Sequence, residues 1–242
     1  MGVDLNGKTA LVIGASSGMG RAAVVALSRE GVRVAAAARR EGLLAELRDQ
    51  MAREGRAIEA AAVDVTVRES VERVVASAVQ TLGGIDFLVY SAGTNIPDRS
   101  MKLLTAETWE MMLAVNLTGA FHATKAILPS MRERGGGLII YISSIATHLV
   151  DLSGASYHAS KRGLNGLAHA TREEEKANGI RTCCILPGLC RTDLIKKRPV
   201  PTPPEVLDRA LLPEDVADMV VAVARLDPRA VTPEIELIPS RL

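Results

Sequence analysis

Tyr157 and Lys161 stand four residues apart, so on a helix they share one face. An ammonium beside a phenol favours the phenolate. A free tyrosine titrates near pH 10, so proton transfer near neutrality asks for a shift of roughly 3 units, about 4 kcal/mol of differential stabilisation. A lysine and a bound cationic ring would have to share a shift of that size for the phenol to exchange a proton with a reacting oxygen. YxxxK alone is mostly a surface pair that arises by chance. What strengthens it is Ser143-Ser144, which ends the apolar run 138–142, because functional residues of open α/β sheets gather at strand C-termini. Gly14-Ala15-Ser16-Ser17-Gly18-Met19-Gly20 is a second chemical signal. It follows an apolar run and precedes a helical pattern, the arrangement that sets a pyrophosphate against free backbone N–H groups at a helix N-terminus. Its spacing is GxxxGxG, not the GxGxxG of the general dinucleotide fingerprint.

Positioning these residues requires a scaffold, and the hydrophobic pattern describes one. The runs 9–13, 32–38, 85–90, 138–142 and 182–186 are short and nearly continuous, as parallel strands read when both faces are covered. Between them lie amphipathic helices: Leu43, Leu47 and Met51; Val71, Val74, Val75, Ala78, Val79 and Leu82; Val216, Met219, Val220 and Val223. Thr66-x-x-Glu69 reads as a capping box for the second of these. Pro213 opens the last, with Glu214 and Asp215 complementing its N-terminal dipole. The alternation predicts one α/β domain over 1–242, a doubly wound parallel sheet with helices on both faces. One composition shift, 191–212, carries Pro199, Pro201, Pro203 and Pro204. With the residues just before it, it reads as a substrate lid over 189–212, mobile at 194–198 and stiffened distally by proline. Leu189, Leu194 and Ile195 form its apolar underside; the competing reading is a permanently packed surface loop.

Taken together, these residues resemble the short-chain dehydrogenase/reductase family along nearly the whole chain. The family's glycine turn matches Gly14, Gly18 and Gly20, with Ser16, Ser17 and Met19 between them; its Asp-Val after the third strand matches Asp64-Val65; its catalytic Asn matches Asn116 in Val115-Asn116-Leu117-Thr118-Gly119. Its catalytic Ser falls on Ser144, its YxxxK on Tyr157 and Lys161, and its Pro-Gly-x-x-x-Thr on Pro187, Gly188 and Thr192. The resemblance implies a Rossmann-type fold and hydride transfer between NADP(H) and a carbonyl or secondary alcohol. It also implies that Tyr157 donates the proton, Ser144 bonds the developing alkoxide, Lys161 lowers the Tyr157 pKa and holds the nicotinamide ribose, and Asn116 orders a water. Asp64 would hold the adenine, and Thr192 the carboxamide. Two departures stand out: the family's Asn-Asn-Ala-Gly is here Tyr90-Ser91-Ala92-Gly93, a cofactor-binding stretch from Ser91 on in which Ala92 and Gly93 still let the backbone approach the ribose, and the Asn often found before Pro-Gly is Leu186. The end of the second strand has no acid to bind a ribose 2′-hydroxyl, and Ala38-Arg39-Arg40 stands there instead, so Arg39 is the expected main contact to a 2′-phosphate and Arg40 a secondary one. The terminal Glu234-Ile235-Glu236-Leu237-Ile238-Pro239 is closer to NADP-dependent hydroxy-acid dehydrogenases and carbonyl reductases than to 3-oxoacyl-thioester reductases, which stay an alternative, as does a nucleotide-sensing scaffold on the same fold. Family members pair the helices of 105–134 and 157–178 across a two-fold axis, which implies a homodimer or homotetramer.

Composition narrows the partners. Lys plus Arg numbers 29 against 28 for Asp plus Glu, so the net charge of +1 carries no footprint for nucleic acid or an anionic membrane. Two Phe, one Trp and three Tyr are too few to stack single-stranded bases. Cys183, Cys184 and Cys190 lack metal spacing and read as free thiols. No apolar run is long enough for a membrane span and Met1-Gly2-Val3-Asp4 has no signal-peptide pattern, so a cytoplasmic enzyme with no metal is the expectation. His122 and His169 read as structural, His158 as turned away from Tyr157, and His148 as a candidate pocket liner. Glu173-Glu174-Glu175 reads as a solvated face. Lys196-Lys197-Arg198 reads as a solvated lid patch or an attractor of an acidic substrate.

Overall fold

Runs of β-branched and small apolar residues become seven parallel strands: β1 (Thr9–Ile13), β2 (Arg33–Ala38), β3 (Ile58–Ala62), β4 (Phe87–Tyr90), β5 (Gly137–Ile142), β6 (Ile180–Pro187) and β7 (Glu234–Leu237). The structure is a computed structural model and describes residues 2–242; Met1, the first residue of the N-terminal stretch read above, lies outside them. The strand order is β3-β2-β1-β4-β5-β6-β7, so winding reverses between β1 and β4, and the crevice above their C-terminal ends is the topological switch point. The helices are α1 (Gly18–Arg29), α2 (Glu41–Arg53), α3 (Arg68–Leu82), α4 (Ala106–Leu113), α5 (Gly119–Glu133), α6 (Ala155–Glu175), α7 (Pro204–Leu207) and α8 (Pro213–Ala224).

Alternate side chains of each strand feed the two sheet faces. Val12, Ala36, Val89, Ile140 and Ile185 pack with Leu27, Leu47 and Val220 of α1, α2 and α8. Leu11, Leu88, Ile139 and Tyr141 pack with Val71, Ile127 and Leu164 of α3, α5 and α6. Each fully buried large side chain contributes on the order of 2 kcal/mol by area, as an upper bound. β3 and β7 are edge strands with half-exposed, charged sequences, which is why no apolar run announces them.

Three local readings need correction. The capping box at Thr66 does not form: the Thr66 N–H and hydroxyl both donate to Asp64 Oδ1, at 2.9 and 2.7 Å, and α3 starts with an uncapped Val67. A carboxylate two residues back is the stronger acceptor and keeps Thr66 outside the helix. On α2 the buried stripe is Leu44, Leu47 and Met51, with Leu43 at its half-exposed margin. Glu175 is not solvated with Glu173 and Glu174: the last turns of α6 rotate it onto α5, where it is buried and accepts both forks of Arg132. At the other end of the sheet, Asp86 Oδ2 accepts the Thr9 N–H and hydroxyl, each at 2.9 Å, locking β1 to β4 one residue before the β4 strand begins.

Burial pushes the Asp86 carboxyl up, but the Thr9 bonds and the Lys8 and Arg134 charges outweigh it and hold the group below its ordinary value. A depressed folded value means that the stabilisation is full above the unfolded value near 3.9 and is lost as pH falls through the folded one. Asp86→Asn is expected to cost about 1–3 kcal/mol at pH 7. Urea titrations at pH 7 and pH 3 check this, the gap to wild type closing at the lower pH.

Candidate active site

Above β1 the chain makes a turn that only glycine permits. Gly14 has φ +93°, and a Cβ there would lie 2.4 Å from the Ala92 nitrogen; a Cβ on Gly20 would lie 2.3 Å from the Gly14 carbonyl oxygen. The N-cap of α1, Ser17, makes no side-chain cap and the first turn holds no acid, so its N–H groups are left for an anion. Gly18 faces Thr192, whose Cγ2 would be 3.2 Å from an added Cβ. Arg40 lies across the turn, its Nη2 donating to Ser16 Oγ at 2.9 Å and Ser17 Oγ at 2.5 Å. Arg39 is exposed, has no hydrogen-bond or ion-pair partner among the described residues, and its charge helps hold the Asp64 carboxyl below its ordinary value after the Thr66 bonds. Met19 packs against the core and Val65 is buried. Ser91 N–H donates to Ile13 O, carrying Ser91-Ala92-Gly93 past the glycine turn. Pro187 ends β6 and the Gly188 N–H donates to Leu237 O. The glycine turn and the uncapped N-terminus of α1 fit a dinucleotide.

The chemical groups meet beside it. Ser144 follows β5 and its Oγ accepts from the Ala146 N–H at 3.1 Å. Tyr157 and Lys161 sit on successive turns at the start of α6, both buried, with Lys161 Nζ 5.8 Å from the Tyr157 ring centre. Lys161 Nζ donates to Ile142 O at 2.9 Å, and burial lowers its pKa to about 8. The Tyr157 phenol is raised, where the family resemblance implied a value lowered by Lys161, whose ammonium is instead on Ile142 O: burial dominates, the Ser144 hydrogen bond draws it down, Asp151 pushes it up and Arg99 draws it down. Asn116 is fully buried in a π-helical turn (Ala114–Thr118) between α4 and α5. Its Oδ1 accepts the Thr94 N–H at 2.7 Å, and its Nδ2 donates to Thr94 O at 3.1 Å and Ser160 Oγ at 3.0 Å. Ser160 Oγ donates to Tyr157 O at 2.9 Å. The amide thus ties the loop after β4 to the helix that carries Tyr157. Tyr90, the departure from the family pattern, is wholly buried and its hydroxyl donates to Val115 O at 2.8 Å, holding the π turn beside Asn116.

His148 lies four residues after Ser144, but its ring is taken by Glu234, at 3.0 Å, and Glu236. His169 also meets Glu234 at 3.0 Å, and His158 is held by Ala146 O and by Asp151. His122 lies beside the Phe121 ring. The three cysteines are buried, and burial raises each thiol, Cys183 and Cys190 to about 12. Residues 191–212 hold a short 3-10 turn (Asp193–Lys197) and α7, with Cys190 bridging Leu211. The periodicity missed a relay in which Ser143 Oγ donates to Asn165 Oδ1 at 2.6 Å and Asn165 Nδ2 to Glu234 at 2.8 Å, tying β5, α6 and β7 together. Arg99, buried in the irregular loop after β4, left no sequence signal at all.

A family model described as short chain dehydrogenase matches residues 8–201. Over 244 aligned residues the chain is 35% identical to a glycine betaine reductase of Emericella nidulans, an alignment that covers 97% of this chain and 19% of that much longer protein. An uncharacterised oxidoreductase of Staphylococcus saprophyticus is 35% identical over 193 residues, 79% of this chain and 82% of that one. The crystal structure of an alcohol dehydrogenase from the archaeon Thermococcus sibiricus, complexed with 5-hydroxy-NADP, superposes with a TM-score of 0.87 at 27% identity over 97% of each chain.

Replacing Tyr90 by Phe removes the hydroxyl that donates to Val115 O and with it the tie between β4 and the π turn. The expected cost is about 1–3 kcal/mol of stability. Because that carbonyl precedes Asn116, kcat should fall more than cofactor affinity does. Urea unfolding and steady-state kinetics on the same preparation check both.

Proposed function

Because this chain belongs to the short-chain dehydrogenase/reductase family and is an oxidoreductase, we propose that it transfers a hydride between NADP(H) and a carbonyl or secondary-alcohol substrate. The observation that carries the reading is the convergence of Ser144, Tyr157 and Lys161 beside a glycine turn whose helix N-terminus is uncapped. The dinucleotide, when bound, supplies the hydride that the carbonyl carbon accepts. Tyr157 gives its phenolic proton to the carbonyl oxygen, and Ser144 donates a hydrogen bond to the same oxygen as charge develops. Lys161, poised near neutrality with its ammonium on Ile142 O, returns the proton to the phenol. Asn116 fixes the tyrosine's backbone and orders a water between Lys161 and solvent. The oxidation of an alcohol runs through the same groups in reverse. The Arg40 guanidinium shapes the phosphate turn by holding Ser16 and Ser17, which leaves Arg39 to grip the 2′-phosphate. Asp64 takes the adenine, and Thr192, against Gly18, takes the carboxamide.

The chain also forms a homodimer or a tetramer of such dimers through α4, α5 and α6. Met112, Leu164 and Ala168 are core, whereas Met111 and Phe121 are exposed and Trp109, Leu113 and Leu167 are half-buried on these helices.

Tyr157→Phe is expected to lower turnover at least about 100-fold while NADPH still binds, as read by cofactor fluorescence. Retention of most activity would refute the acid/base assignment. Arg39→Ala should reduce kcat/KM with NADPH about tenfold and leave the NADH value nearly unchanged; a native preference for NADH would refute the phosphate grip. Light scattering at micromolar concentration should give a particle at least twice the 25.7 kDa chain mass, and a monomer would refute the assembly.

A further inference from the structure

Arg99 is 6% exposed, and no carboxylate lies within ion-pair distance of it among the described residues. Its Nε donates to Ile96 O at 2.7 Å and its Nη2 to Lys197 O at 2.5 Å. A guanidinium has five N–H donors, so most of its capacity has no protein acceptor among the described residues. The unpaired N–H groups of Arg99 are not sealed from solvent, so they are open to a counter-charge that binds beside them. Asp151, whose charge acts on Arg99, is engaged elsewhere: its Oδ1 accepts the Ser153 N–H at 2.9 Å and lies 3.3 Å from His158 Nε2.

The placement of this cation is specific. Ile96, whose carbonyl Arg99 holds, packs against Met112, Ala146 and Tyr157. Gly154, three residues before Tyr157, has φ +91°, and a Cβ there would lie 2.6 Å from Arg99 O and 2.7 Å from Arg99 Cβ. Arg99 is therefore built against the catalytic end of α6, and its charge acts on the Tyr157 phenol. From above, the segment 193–198 closes on the same loop. Lys197 gives its carbonyl to Arg99, and its Nζ donates to Thr94 Oγ1 at 2.8 Å. Arg198 follows, close enough that its charge opposes that of Arg99. Three cations thus stand on or over the loop that packs against Tyr157, and Arg99 is the one whose charge reaches the phenol. The rim between Ser144 and α6 exposes Leu149, Val150 and Leu152, with the Asp151 carboxylate among them.

We propose that Arg99 is the substrate-recognition residue of this site and that the substrate is an oxo acid whose carboxylate binds Arg99 while its carbonyl faces Tyr157. The inference rests on the hydride-transfer reading above and names its substrate class. The oxo acid's carbonyl carbon receives the hydride of NADPH and its oxygen the proton of Tyr157, giving the hydroxy acid and NADP+. The carboxylate takes no part in the bond changes. It supplies the counter-charge to Arg99 beneath Lys197 and Arg198, while Leu149, Val150 and Leu152 cover an aliphatic tail.

The test compares 2-oxo, 3-oxo and 4-oxo acids with their methyl esters, following NADPH oxidation by wild type, Arg99→Lys and Arg99→Gln. Thermal midpoints and NADPH binding of each variant report folding. For at least one chain length the wild type should favour the acid over its ester by about tenfold or more in kcat/KM, chiefly through KM. Arg99→Gln should collapse that ratio toward unity, and Arg99→Lys should keep part of it. Equal or better turnover of the ester at every chain length would overturn the inference from wild type alone. So would an acid-to-ester ratio that Arg99→Gln leaves unchanged. Turnover of neutral ketones without any oxo acid would overturn this inference and leave the hydride-transfer reading standing, whereas failure of every carbonyl compound, charged or neutral, would overturn both.

Discussion

One buried amide holds the site together. Asn116 bonds both backbone groups of Thr94 and the Ser160 hydroxyl, and Ser160 in turn bonds the Tyr157 carbonyl. Three segments distant in sequence are thereby fixed to one another: the loop after β4, the π turn and the first turns of α6. A fully satisfied buried network of this kind specifies one arrangement, because breaking any member leaves polar groups without water or partner. Tyr90 extends it from below through Val115, and Gly119 is required there because a Cβ would meet the Tyr90 hydroxyl at 2.5 Å. The π turn itself is the extra residue's worth of backbone that brings Asn116 inward, a device that recurs at functional sites.

The fold sets this bracket at the place where it is useful. The reversal of strand order between β1 and β4 opens a crevice, and β1, β4 and β5 end beside it. There the glycine turn, Ser91-Ala92-Gly93 and Ser143-Ser144 lie side by side. The site costs stability. Lowering Lys161 from its ordinary value to about 8 corresponds to about 3 kcal/mol of disfavoured charge in the folded state. That cost is present at neutral pH and falls as pH rises toward the unfolded lysine value. The two apolar sheet faces offset it.

Much of this was legible in the sequence for physical reasons. Central strands are covered on both faces, so β1, β4 and β5 are continuous apolar runs with nearly correct bounds. Helix stripes follow the 3.6 period, and Pro213 with Asp215 opens α8 as read, the Asp215 carboxylate accepting the Leu212 N–H at 2.7 Å. The Ser, Tyr, Lys and glycine signals stand in fixed register with strand ends. The edge strands β3 and β7 were harder, because half-exposed strands carry charge. Tertiary rotation decided what local pattern left open: Glu175 turned onto Arg132, and His148 turned onto β7. The Thr66 cap lost to a local carboxylate. Arg99 was invisible because an irregular loop has no period, and its meaning depends on which charges fail to reach it.

Everything proposed for the chemistry depends on the Asn116 bracket holding the backbone of Tyr157 in place. The most direct measurement is the single-turnover rate of NADPH oxidation by Asn116→Ala on the best carbonyl substrate, with NADPH affinity determined on the same sample. The expected result is a loss of about 100-fold in rate with affinity changed less than about threefold. A rate equal to wild type in a folded Asn116→Ala protein would contradict it.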